Sequence, residues 1–306
     1  MLNFLPGILI AAIACSLLLL NILFWIGPLM TLALIKVILP FTFMRKLLDP
    51  FIVGIAELWI GGNKGWMNLT QKVDWDIQGL GTLNKKGWYL VNSNHQTWVD
   101  ILVLQYVLNR RIPLLKFFLK QELIKVPLMG MAWWALDFPF MKRYSKEYLE
   151  KHPEMKGKDI ETTRIACEKF RLIPTSVMNF LEGTRFTKQK HAKQNSPYKY
   201  LLKPKAGGIA FAINAMGDQF DCLLNVTIVY PEGVPSFVDF LMGRMHKVKV
   251  RIEELEIPAH FPIGDYTNDP DFRQEFQDWV HQLWLEKDQH IELLTNGTPQ
   301  VEQKSA

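Results

Sequence analysis

The sequence predicts an α/β protein: a mixed, largely buried sheet flanked by helices, preceded by an N-terminal membrane helix or helical hairpin. Three observations predict it. Residues 1–43 carry a single charged side chain, Lys36, whereas the chain from Arg45 onward reads as an ordinary soluble protein. Past that point short apolar runs alternate with segments whose apolar residues recur at helical spacing, the pattern of strand and helix units. Each of those runs ends in polar residues or glycine, which is where an α/β sheet assembles a site.

The membrane element comes first in the chain. From Leu2 to Ile26 there is no charged residue, and a helix of about 20 apolar residues suffices to cross the hydrocarbon core. Gly27-Pro28 interrupts the run. The next stretch, to residue 43, is expected to form a re-entrant hairpin arm or an interfacial helix, with Lys36 snorkelling toward headgroups. Arg45 and Lys46 follow at once, and the positive-inside rule then places the body in the cytoplasm. No basic residue precedes the apolar run, which argues against a secretory signal. Val126 to Met141, also apolar, is too short for a second span and reads as a buried helix and strand.

The body has enough apolar material for a core, with 49% hydrophobic and 21% charged residues overall. Cys15, Cys167 and Cys222 are scattered and odd in number, which excludes a disulfide framework, offers no zinc-ligand spacing and points to a reducing compartment. The formal net charge of +5 is too small to imply nucleic acid. Without repeats or low-complexity linkers, three parts are expected: a membrane segment at 1–43, one catalytic domain at 44–295 and a polar tail at 296–306.

Within that domain Trp88-Tyr89-Leu90-Val91 reads as a buried strand, followed by a helix over Trp98 to Leu108. A helix over Ile160 to Ile173 leads to a strand at Ser176 to Phe180. Gly207 to Met216 is helical before a strand at Leu223 to Tyr230. Asn268-Asp269-Pro270 then caps a last helix, with Phe272, Phe276, Trp279, Val280 and Leu283 along one face.

The first strand runs into Asn94-His95-Gln96-Thr97-Trp98-Val99-Asp100. Five residues apart on one regular helix, His95 and Asp100 lie about 140° apart and do not meet. They meet if His95 sits in the strand-to-helix turn and Asp100 in the first helical turn. An Asp bonded to the imidazole fixes its tautomer and leaves the other nitrogen to take a proton from a hydroxyl. The plainer alternative makes Thr97 a helix cap and Asp100 a capping-box acid, with His95 merely exposed. The second strand ends in Phe180-Leu181-Glu182-Gly183-Thr184-Arg185. There glycine allows close backbone approach, free N–H groups offer oxyanion donors and Arg185 presents a fork suited to phosphate. Seven basic residues and no acid lie between Gly183 and Gly217, and directly after a glycine turn they favour an anionic substrate over a merely solvated loop.

Asn94-His95-x4-Asp100, followed about eighty residues later by Phe180-x-Glu182-Gly183-Thr184-Arg185, resembles the glycerophospholipid acyltransferase family, the 1-acylglycerol-3-phosphate acyltransferases and their relatives, of bacterial inner-membrane type. Phe138-Pro139-Phe140-Met141-Lys142-Arg143 resembles the family's second block, although Lys142 stands before Arg143. Val226 to Pro231 resembles the fourth, and Leu201 to Gly208 the segment after the third. The wording is closer to the lysophospholipid acyltransferase branch than to the shortest bacterial enzymes.

The resemblance implies acyl transfer from acyl-CoA, or acyl-carrier protein, to the free hydroxyl of a lysophospholipid such as lysophosphatidic acid, at a bacterial inner membrane. It implies His95 and Asp100 as catalytic residues, and Arg143, Glu182, Gly183, Thr184, Arg185 and Lys205 as substrate-binding residues. No metal and no bound cofactor are implied. The rivals are the same chemistry on glycerol-3-phosphate or another lysophospholipid, and an inactive membrane-anchored lipid-binding protein.

Overall fold

A computed structural model describes residues 2, 4–81, 83–141, 151–152, 170–171 and 173–296. The helix expected over Ile160 to Ile173 falls almost wholly outside them, as do Arg143, Cys167 and the tail from residue 297.

The N-terminal run is one helix, α1 (Gly7–Ile38), which carries Pro28 inside it. The expected break at Gly27-Pro28 does not occur. Proline costs a helix one backbone hydrogen bond, and apolar surroundings penalise unwinding, which would free several more polar groups. At 32 residues the helix is long and apolar enough to cross a membrane by length and composition, reaching about 48 Å. A second helix, α2 (Thr42–Thr70), folds back along it. Leu2 N–H donates to the Leu69 carbonyl at 3.0 Å, and Asn21 Nδ2 donates to the Trp59 carbonyl and to Asn63 Oδ1, both at 2.9 Å.

Lys36 does not snorkel. It is buried, 3.1 Å from Asp49 on α2 and 2.5 Å from Asp137. A lysine sealed among apolar side chains needs a counter-charge, and two carboxylates supply it.

Among the described residues eight strands follow: β1 (Asp74–Gln78), β2 (Tyr89–Ser93), β3 (Leu115–Phe117), β4 (Leu119–Lys120), β5 (Phe140–Met141), β6 (Ser176–Phe180), β7 (Cys222–Val229) and β8 (Lys247–Leu255). Six form one sheet in the order β1-β8-β7-β2-β6-β3, while β4 and β5 pair apart from it. β3, β6, β2 and β7 run parallel, β8 lies antiparallel to β7, and β1 is parallel to β8. The sheet is therefore mixed, and β2 is buried at all five positions because both its faces are covered.

Between the strands lie α3 (Val99–Leu108), α4 (Met129–Ala135), α5 (Lys188–Gln194), α6 (Ala206–Met216) and α7 (Phe237–Leu241), and α8 (Pro270–Asn296) follows the last strand. Val91, Met178, Leu224 and Val226 face a core shared with α1, α2, α3 and α4. On the other face Leu90, Val177 and Leu223 meet α6 and α8 through Ile209, Ile213, Phe276 and Trp284. Val126 to Met141, expected as a buried helix and strand, holds α4 and β5, with Gly130, Ala132 and Ala135 inside and Met131 and Trp134 exposed.

The register brings the site together. Ser93, the last residue of β2, pairs with Phe180 at the end of β6 and with Val226 in β7. Parallel strands end level, so the turns after β2 and β6 emerge side by side.

Candidate active site

His95 leaves β2 in the turn before α3, and Asp100 is the second residue of that helix. The imidazole Nδ1 lies 2.9 Å from Asp100 Oδ2. The same oxygen accepts the N–H of Gln96 at 2.6 Å and of Thr97 at 2.9 Å, and Oδ1 accepts the Tyr230 hydroxyl at 2.7 Å. Asp100 is thus the partner of His95 and also holds the turn before the helix. The capping alternative is met only in the Thr97 N–H bond: the Thr97 hydroxyl donates to the Pro235 carbonyl at 2.8 Å and no side chain caps α3. Because that carboxylate accepts, Nδ1 carries the hydrogen and Nε2 is left for a substrate.

Three further contacts hold the ring and its backbone. Phe180 stacks on it with centroids 3.9 Å apart. Glu182 Oε1 accepts the His95 backbone N–H at 2.8 Å, and Phe186 N–H donates to the His95 carbonyl at 2.7 Å. Asn94 pins the strand end from the other side, its Oδ1 accepting from Ile228 N–H and its Nδ2 donating to the Ile228 carbonyl, both at 2.9 Å.

Glu182 is fully buried and organises the second turn, its Oε2 accepting the Leu202 N–H at 3.0 Å. Burial pushes its carboxyl up to about 8, against the downward pull of its two N–H donors and of Lys287. Gly183 follows at φ 65°, a left-handed conformation that favours glycine. Its own N–H donates to the Phe180 carbonyl at 2.8 Å, so that group is not among the free donors expected near this glycine.

His95 and Phe180 line one part of a cavity of about 370 Å³ whose other walls include Leu18, Trp59, Leu102 and Ala132. It runs between the helical hairpin, α3 and α4, and apart from His95 its polar lining consists of Asn63 and Gln105. A larger depression of about 690 Å³ opens between α1 and α2, but no titratable side chain lines it. Among the described residues no group of three or more His, Cys, Asp or Glu side chains is placed to hold a metal ion.

A family model described as Acyltransferase matches residues 74–236, over half of the chain, and spans both turns. The chain belongs to this acyltransferase family. Among curated proteins it is 26% identical over 224 residues to lysocardiolipin acyltransferase 1 of Mus musculus, covering 68% of this chain and 54% of that protein. It is 26% identical over 213 residues to 1-acyl-sn-glycerol-3-phosphate acyltransferase gamma of Mus musculus, covering 65% and 51%. The chain thus spans about half the length of these relatives. Among solved structures it resembles the 1-acyl-sn-glycerophosphate (LPA) acyltransferase PlsC from Thermotoga maritima, with TM-score 0.56, 17% identity and coverage of 94% and 96% of the two chains. That likeness shows the fold: a mixed sheet with flanking helices and a long apolar N-terminal helix.

In this member of the acyltransferase family Thr184, Arg185 and Lys205 lie in and beside the second turn. Thr184 Oγ1 accepts from Lys190 Nζ at 2.7 Å, and the same ammonium donates to the Arg185 carbonyl at 2.9 Å. The Arg185 guanidinium lies 4.8 Å above the exposed Trp98 ring, a cation–π contact that aims the fork without using its hydrogens. Lys205, exposed at the start of α6, donates its backbone N–H to the Leu181 carbonyl at 2.7 Å and so ties α6 to the second turn. Arg143 lies outside the described residues.

The sequence reading assigns no role to Tyr230, because a tyrosine closing an apolar strand reads as core and carries no local signal.

Proposed function

We propose that the protein is a membrane-bound O-acyltransferase that moves a fatty acyl group from acyl-CoA, or from acyl-carrier protein, to the free hydroxyl of lysophosphatidic acid, giving phosphatidic acid. One observation carries the reading: an imidazole, oriented by a buried carboxylate, stands in the wall of an apolar cavity of about 370 Å³. An apolar cavity of that size suits a single hydrocarbon chain, and a base in its wall suits a hydroxyl to be acylated.

In this mechanism His95 Nε2 takes the acceptor's hydroxyl proton as its oxygen attacks the thioester carbonyl, and Asp100 stabilises the imidazolium. The new C–O bond leaves a tetrahedral oxyanion. With the Gly183 N–H occupied, Thr184 and Arg185 offer the next N–H groups of the turn to that charge. Collapse breaks the C–S bond, and the departing thiolate recovers the proton from His95, with no acyl-enzyme. Arg185, with Arg143 and Lys205, binds the acceptor phosphate. No metal and no bound cofactor enters this scheme.

The helical hairpin exposes Leu20, Leu23, Phe24 and Phe51 to its surroundings, an apolar surface suited to a bilayer, where acceptor and product reside. Arg45 and Lys46 favour a body on the cytoplasmic side, at what we take to be a bacterial inner membrane.

The test is transfer from labelled acyl-CoA by purified protein to lysophosphatidic acid, glycerol-3-phosphate, lysocardiolipin and lysophosphatidylcholine. Fastest transfer to lysophosphatidic acid is expected. Preference for another acceptor reassigns the substrate, and binding without transfer to any acceptor identifies a lipid-binding protein that has kept the fold.

A further inference from the structure

We propose that residues 234–238, between β7 and the first turn of α7, are a bilayer-contact edge: their apolar side chains enter the headgroup boundary beside the start of α1 and seat the turn that carries His95 against the lipid surface. The proposal rests on the reading of the protein as a membrane-bound acyltransferase. To the contact made by the helical hairpin it adds one made by the body itself.

The segment has a fixed shape. Ser236 and Asp239 form a capping box at the start of α7: Ser236 Oγ accepts the Asp239 N–H at 3.0 Å, and Asp239 Oδ2 accepts the Ser236 N–H at 3.3 Å. Arg244 donates to the other oxygen of that carboxylate at 3.0 Å. The polar groups of this short helix thus satisfy one another, and its apolar residues divide between two sides. Phe240 is fully buried, its ring centroid 5.9 Å from that of Trp66 on α2, whereas Val234, Phe237 and Val238 are exposed, Val238 at 56%.

The start of α1 continues the patch. A methyl group on Gly7 would stand 3.3 Å from the Met242 carbonyl oxygen, and one on Gly243 would stand 3.6 Å from Ile10 Cδ1, so the first turn of α1 rests on the end of α7. Met242 N–H donates to the Val238 carbonyl at 2.9 Å, one turn away. From that contact Ile8, Ala12, Cys15, Leu19 and Leu23 recur three or four residues apart and are all exposed, so they form one outward stripe along α1. The patch therefore joins the apolar outside of a helix long and apolar enough to cross a membrane. That continuity names the occupant. A protein covering residues 234–238 alone would leave the stripe open, whereas a lipid surface covers both.

The segment also reaches the catalytic turn. Thr97 Oγ1 donates to the Pro235 carbonyl at 2.8 Å, and Thr97 follows His95 by two residues. Next in the chain, Trp98 is exposed beneath the Arg185 guanidinium. With Pro235 bonded to that turn, residues 234–238 cannot dip toward lipid without carrying the turn with them. Glu232 and Asp239 flank the segment and keep the contact shallow, since a carboxylate stays at headgroup level while apolar side chains enter the acyl boundary.

The test uses full-length protein with lysophosphatidic acid as acceptor, either embedded in phosphatidylcholine–phosphatidylglycerol vesicles or dispersed in detergent. Val234→Asp combined with Val238→Asp is expected to lower transfer from labelled acyl-CoA on vesicles by about tenfold or more, because membrane binding scales with the apolar area buried. Turnover in detergent and the melting temperature should stay unchanged, and Val238→Leu, which keeps the apolar contact, should show the wild-type ratio of the two activities. An unchanged ratio in the folded double variant overturns the proposal. So does an equal loss in both media, which places the valines in the chemistry instead.

A fluorescence arm is independent of turnover. An environment-sensitive fluorophore on Val238→Cys, in a background of Cys15→Ser, Cys167→Ser and Cys222→Ser, should shift to the blue when vesicles are added and be quenched by phospholipid brominated near the headgroup end of its acyl chains. Emission unaltered by vesicles overturns the proposal. A blue shift that grows with protein concentration in the absence of vesicles also overturns it and assigns the face to a second copy of the chain. Should the aspartate variant fail to fold, the labelled protein decides alone. Absence of acyl transfer by the wild type would sink the underlying reading and leave the fluorescence result standing.

Discussion

Tyr230 donates its phenolic hydrogen to Oδ1 of Asp100 at 2.7 Å, joining the end of β7 to the start of α3 across 130 residues of sequence. Asp100 is thereby left with Oδ2 for His95, and its carboxylate plane is fixed. Tyr230→Phe removes that donor and leaves the ring. A hydrogen bond to a charged group contributes about 1.5 kcal/mol or more, so kcat should fall about tenfold with the acceptor KM unchanged. Steady-state kinetics of the variant checks this, and an unaltered kcat would mean that the Asp100 bond to His95 needs no such support.

His95→Ala should lower kcat/KM by about 10² to 10⁴, the usual cost of losing a general base. Expression and vesicle binding should stay near normal, because the His95 backbone bonds to Glu182 and Phe186 do not involve the ring. Flotation and turnover assays on the same preparation separate loss of chemistry from loss of fold.

Arg185→Ala should raise the apparent KM for lysophosphatidic acid more than that for acyl-CoA, since the guanidinium stands over Trp98 at the outer edge of the second turn. Trp98→Ala, which removes the ring beneath it, should move the same constant in the same direction by less. A rise confined to acyl-CoA would assign the phosphate to the donor instead.

Ala132 is buried in the cavity wall on α4. Ala132→Phe fills part of that volume, and each methylene kept out costs about 0.8 kcal/mol, roughly fourfold in kcat/KM. Long acyl donors should lose more than short ones in a chain-length series. A uniform loss across the series would place the chain elsewhere.

Lys36→Met removes the cation between Asp49 and Asp137 and leaves two carboxylates facing each other in the interior. Breaking a buried pair from one side costs about 3 to 5 kcal/mol. The melting temperature in detergent should drop clearly, and Lys36→Met combined with Asp49→Asn should recover part of the loss. Equal melting temperatures for wild type and Lys36→Met would show the pair to be solvated.

The alternation in Lys247-Val248-Lys249-Val250-Arg251-Ile252, which forms β8, is a strand signal of period two. Leu48, Ile52, Ala56, Trp59 and Ile60 of α2 recur at helical spacing. Both elements are legible in the chain, although the fold class was inferred without them. Lys36 is the opposite case. A lysine near the end of an apolar run has the same local pattern whether it snorkels or is buried, and only the arrival of Asp49 and Asp137 distinguishes the two.

The sequence by itself determined the long apolar helix, the buried strands β2, β6 and β7, the helices α3, α6 and α8, and the pair of motifs around His95 and Glu182. These depend on periodicity and on residue types within a few positions, which the chain displays directly. Only the tertiary structure decided that α1 continues through Pro28, that the Gly183 N–H is occupied, that Tyr230 reaches Asp100 and that Lys287 is buried against β7. The last three outcomes depend on how the sheet is assembled, with a parallel register that sets Ser93 beside both Phe180 and Val226. Shifting one strand by a residue turns its side chains to the opposite face, so contacts between distant residues are a property of the assembled sheet.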